Sequence, residues 1–121
     1  MEDFVAKIKH GEFGSFSVCF YIEQDRIMEI GKKMNEINEM AYMNGYNWEA
    51  FLKRYLQINH PDILGNMESD HEAGMYAAYF ESNPENEKRA DKLVEIIKRL
   101  VENENEIYKF VTIEGGAIEW D

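Results

Sequence analysis

The groups in this chain that could do chemistry are three histidines, His10, His60 and His71, one cysteine, Cys19, four serines, and 24 Asp plus Glu. None of the histidines is spaced at i, i+4 from another ligand on a helical pattern, as a helix-borne zinc site needs. Asp70-His71-Glu72 would hold a metal only if distant residues completed the shell, and it reads more simply as a solvated turn. Ser15, Ser17, Ser69 and Ser82 include no G-x-S-x-G elbow on which a triad could be built. Gly115-Gly116 lacks the lysine of a phosphate-binding loop. With so many acids, carboxylate pairs arise everywhere and no single pair points to acid–base catalysis. No cofactor is implied.

At 121 residues the chain is one domain's worth of core, so a single domain over 1–121 is expected. Hydrophobic residues at 45% supply enough burial to fold despite the charge. The net charge of −11 repels nucleic acid and anionic lipid and favours encounter with a basic partner. One cysteine excludes an intrachain disulfide, and the Met1-Glu2-Asp3 start lacks the basic, apolar pattern of a secretory signal. The expected location is the cytoplasm, with neither membrane nor nucleic acid as partner.

The elements that must position these residues are legible from periodicity. Phe4, Ala6 and Ile8 alternate before a turn-rich Gly11-Glu12-Phe13-Gly14, which predicts a hairpin. In the next run Phe16, Val18, Phe20 and Ile22 share one face, while Ser17, Cys19, Tyr21 and Glu23 share the other. Cys19 is then a small packed residue. Asp25 is the expected N-cap of a helix reaching about residue 43, with Ile27, Ile30, Met34, Ile37 and Ala41 as its stripe and Asn44-Gly45 as its stop. Asn47 is the expected cap of a second helix carrying Trp48, Phe51, Leu52, Tyr55 and Leu56, closed by His60-Pro61.

A short strand at 66–70 should pair with 75–81, whose two faces are both apolar and so place it inside the sheet. Asn83-Pro84 signals a third helix with Ala90, Leu93, Val94, Ile97, Leu100 and Val101 buried. A strand at 107–113, Gly115-Gly116 as a hairpin loop and 117–120 complete the reading. The expected class is α+β: an antiparallel sheet of four to six strands with about three helices on one face, in the order β-β-α-α-β-β-α-β(β).

Two segments in register carry a family likeness. Asn44-Gly45-Tyr46-Asn47-Trp48-Glu49, followed by Asp70 and Glu72-Ala73-Gly74-Met75-Tyr76-Ala77-Ala78-Tyr79, resembles the immunity protein 51 family of bacterial polymorphic toxin systems. There an N-G-Y-x-W-E segment precedes an acidic turn and a G-M-F/Y-x-A strand. The likeness covers about residues 16–80, and His71 stands where that turn would carry proline or a small residue. It implies a small cytoplasmic protein, made beside a toxin gene, that neutralises a cognate toxin domain by binding it without catalysis. A basic toxin domain fits the acidic charge, with the chain itself a monomer or small homo-oligomer. Tyr46, Glu49, Asp70 and Glu72, polar or amphipathic and set at turns, are the candidate interface. Asn44, Gly45, Trp48, Gly74 and Met75 are assigned to the fold, Gly45 in a left-handed turn and Trp48 as an anchor. The competing reading is a non-catalytic acidic binding or regulatory module unrelated to toxins, with an enzyme of non-local active site behind it; the neighbouring gene separates the first two.

Overall fold

The alternating run of Phe16, Val18 and Phe20 becomes the inner face of a strand and the floor of the core. The computed structural model describes residues 4–10, 14–69 and 74–121. Its elements are β1 (Val5–His10), β2 (Ser15–Tyr21), α1 (Asp25–Ile37), α2 (Gly45–Asn59), α3 (Pro61–Leu64), β3 (Glu68–Ser69), β4 (Met75–Glu81), α4 (Pro84–Glu102) and α5 (Glu104–Glu114). The strands form one antiparallel sheet in the order β1-β2-β4-β3, so the fold is α+β. β4, apolar on both faces, lies inside the sheet, and the short β3 pairs with it.

Register decides which side is covered. Lys7, Val18 and Ala78 are cross-strand partners, as are Val5, Phe20 and Tyr76. Lys7 reaches Glu87 and Asp91 of α4 at 3.2 and 2.7 Å, and Phe20 meets Trp48 of α2, so both helices lie on that one side. In β1 the core therefore takes Val5, while Ile8 is exposed. Each large apolar side chain buried there contributes about 1.5–3 kcal/mol.

The two longest helices, α4 and α2, start with the same device. Asn44 is the extended N-cap of α2 and its side chain accepts the Asn47 N–H at 3.0 Å; Asn47 in turn donates from Nδ2 to the Tyr42 carbonyl at 2.7 Å. Asn83 and Asn86 repeat this at α4, at 2.8 Å, with Asn86 reaching the Glu81 carbonyl at 2.9 Å and Pro84 opening the first turn. A side-chain acceptor satisfies an orphan helix N–H, and the residue three on ties the incoming chain back.

Several boundaries differ from the periodicity. Asp25 is the first helical residue of α1, preceded by an extended Gln24, and its carboxylate complements the helix N-terminus. α1 ends at Ile37 rather than near residue 43, because amide side chains take over the backbone there: Asn35 donates to the Glu39 carbonyl at 3.2 Å and Asn38 accepts the Met40 N–H at 2.9 Å. Ala41 is buried all the same, from the connector. Asn44-Gly45 thus opens α2 instead of stopping α1, and Asn47 is its third helical residue, not its cap. Gly45 does not adopt a left-handed turn; Gly14, at φ 58°, is the positive-φ glycine among the described residues.

The largest departure is the C-terminal region, which is helical instead of a hairpin. As a strand, 107–113 would put Lys109 on the same face as Ile107 and Val111. As helix α5, Ile107 and Val111 are both buried, and Phe110 meets Phe51 and Tyr55 of α2 at ring-centroid distances of 5.5 and 5.2 Å. Gly115 caps α5 with ordinary helical dihedrals. A Cβ there would run into the Val111 carbonyl and sit 2.7 Å from Nδ2 of Asn38, so close packing and not turn geometry requires the glycine.

Candidate functional site

The start of α2 is held to the sheet by rings. Trp48, 2% exposed, meets Phe20 at 5.0 Å and Phe51 at 5.8 Å between centroids, both edge-on. Phe20 pairs across the sheet with Tyr76. Trp48, Phe20 and Tyr76 therefore join the two segments that sequence singled out, one on α2 and one on β4, into a single corner of the molecule.

Around that corner the polar groups gather. Tyr46, at the first turn of α2, is 39% exposed, and Glu49 is half-buried. The Tyr76 phenol is held above its ordinary range, first by burial and then by the Glu49 carboxylate. Among the described residues its buried hydroxyl meets no partner within hydrogen-bond geometry, and the nearby Ser69 hydroxyl draws the phenol partly back down. Ser69 directly precedes Asp70, which with Glu72 lies outside the described residues, as does His71. On the far side of that segment, Gly74 is flush against the Glu23 carboxylate: a Cβ would fall 2.6 Å from Glu23 Oε1. Met75 follows, paired with Tyr21. Glu49, through Tyr76, and Glu23, against Gly74, thus give this corner an acidic edge, while Asn44 caps α2 and Trp48 packs beneath its first turns.

Elsewhere the described residues show no grouping of three or more His, Cys, Asp or Glu placed to hold a metal. Cys19 is a free, buried thiol. A groove of about 340 Å³ between α2 and α5 is lined by Tyr55, Ile58, Phe110 and Ile113 with Glu106, Lys109 and Glu114. A hollow of about 440 Å³ gathers His60, Asp62, Lys88, Arg89 and Lys92. Burial, then Lys92 and Arg99, hold the His60 imidazole below its usual value. No helix among the described residues is long and apolar enough to cross a membrane.

Two exposed groups escaped sequence reasoning. Tyr42, at 73% exposure, lies with Met28 and Met43 along a groove between α1 and the connector; a helix stripe continued through Ala41 conceals it. Ile8 and Tyr21 are exposed on the sheet face opposite the helices. For Tyr21 the signal was present in the alternation of β2, which set it on the face away from Phe20.

Fold and site together define an α+β domain built on an aromatic joint with an acidic edge. The family model described as Immunity protein 51 matches residues 7–115, most of the chain, and the chain belongs to that family. The match runs past residue 80 through α4 and α5, beyond the two motif segments. Membership carries an immunity role in general, and with it a toxin as partner in general. No curated protein and no solved structure matches this sequence.

Proposed function

We propose that this chain is an immunity protein that binds a cognate bacterial toxin domain in the cytoplasm of the producing cell and neutralises it by occupation, without catalysis. The observation that carries this reading is the family match across 7–115, which includes both motif segments at the Trp48–Phe20 joint. Tyr46, Glu49, Asp70 and Glu72 are the proposed contacts. Asn44, Gly45, Trp48, Gly74 and Met75 serve the corner that presents them. A net charge of −11 suits a basic toxin domain, since opposite fields raise the encounter rate.

The test uses the purified chain and the toxin domain encoded next to it. A 1:1 complex is expected on size-exclusion chromatography with light scattering, with an association rate that falls steeply as salt rises. Absence of any complex overturns the reading in favour of an acidic binding module unrelated to toxins. A rate indifferent to salt rejects electrostatic steering alone.

A further inference from the structure

The sheet has two faces, and the helices that pack on it substantially, α2 and α4, share one of them. The other face is laid out by register in rows. Ile8, Ser17, Tyr79 and Glu68 form one row, Ala6, Cys19 and Ala77 the next, and Tyr21 with Met75 the last. In the small middle row Cys19 and Ala77 are buried and Ala6 is partly exposed, so the large side chains the face presents are Ile8 and Tyr21, 38% and 36% exposed, with partly exposed Met75 and Tyr79. Isolated exposed apolar residues are ordinary; four that bracket one sheet face form a patch.

The charges around this patch are one-sided. Glu68 lies in register beside Tyr79, and Glu81, two residues on, shares its face; both are exposed. The described strand lysines, Lys7 and Lys9, sit in register with Val18 and Phe16 on the helix side, where Lys7 is engaged by Glu87 and Asp91. The apolar face is therefore edged by carboxylates and kept clear of strand cations.

We propose that this helix-free sheet face is the seat of the toxin, which would meet it with an apolar centre and a Lys- or Arg-bearing rim. The inference rests on the toxin-binding reading above and names the surface. Its size agrees with continuity into the Tyr46–Glu49 edge. Strand and residue spacings make the sheet face about 14 by 23 Å, smaller than the ~800 Å² per partner of a standard interface. The toxin must then also cover neighbouring surface, and Met75, next to Gly74 and Glu23, leads directly to the acidic corner.

The experiment measures the affinity of the full chain for the adjacent-encoded toxin domain. Ile8→Lys, Tyr21→Lys and the double variant Glu68→Lys/Glu81→Lys are compared with Tyr42→Lys and Ile113→Lys, whose side chains are exposed on other surfaces. Circular dichroism melts report folding, and the double variant, at exposed sites, carries the test if an apolar one unfolds. The face variants are expected to weaken binding about tenfold or more, and the control variants less than about threefold. Parental affinity in folded face variants, or equal losses in the controls, overturns the assignment while leaving toxin binding intact. No binding by the parent chain overturns both.

Discussion

Trp48 stands edge-on to Phe20, with 5.0 Å between ring centroids, and this contact fastens the first turns of α2 to the middle of the sheet. Phe51 flanks the indole on its other side and leads on to Phe110 and Tyr55, so the ring contacts extend from β2 through α2 to α5. Truncating Trp48→Ala should cost about 3–5 kcal/mol, the range for a large aromatic removed from a core. That is a large share of the roughly 5–15 kcal/mol that holds a domain folded. Urea unfolding checks it; a loss below about 1 kcal/mol would show that the joint does not organise the fold.

The two asparagines at the start of α2 should differ in consequence. Asn44 caps the helix through one bond, so Asn44→Ala should cost about 1 kcal/mol. Asn47 is buried and bridges the Tyr42 carbonyl and the Asp121 N–H, the latter at 2.6 Å. Asn47→Ala strands both groups and should cost more, about 1–3 kcal/mol for each left unsatisfied and buried. Equal losses in the two variants would contradict the bridging role.

Among the described residues the buried Tyr76 hydroxyl has no partner within hydrogen-bond geometry. Tyr76→Phe removes it at constant shape and should leave stability unchanged or raise it by up to about 1 kcal/mol. A loss of about 2 kcal/mol or more in a denaturant titration would mean that the hydroxyl is bonded in solution.

The fold was readable where one residue decided one thing. Phe16, Val18 and Phe20 alternate and form the inner face; Asn83-Pro84 opens α4 where cap chemistry places it. The same chemistry was present at Asn44, but the Asn44-Gly45 pair also resembles a helix stop, and the amide bonds of Asn35 and Asn38 that end α1 early are invisible to periodicity. In α5, Ile107, Tyr108, Val111, Thr112 and Ile113 favour a strand by propensity. Packing of Ile107, Phe110 and Val111 against the helices outweighs it. Of the candidate site, Tyr46 and Glu49 were expected at a turn, which the structure replaces with the opening of α2, whereas the sheet face needed register, which brings Ile8, Tyr79 and Glu68 into one row from three strands.

His60 gives the chain a pH response. Its imidazole is held below the ordinary value of 6.5 by burial, then by Lys92 and Arg99, with Asp62 opposing. The native state therefore binds this proton later than the unfolded chain does. Its contribution is intact above pH 6.5 and is lost progressively as the pH falls below that value. His60→Gln should flatten the decline in stability between about pH 7 and 5 relative to the parent. Identical declines in the two proteins, followed by urea titration, would remove His60 as the cause.

The central claim, protection by binding, is tested most directly in living bacteria. Cells induced to make the toxin domain encoded beside this gene should die, and coexpression of this chain should restore growth. The Trp48→Ala variant, with its joint broken, should protect less at equal expression. Growth arrest that persists with the intact, soluble chain present would contradict the account.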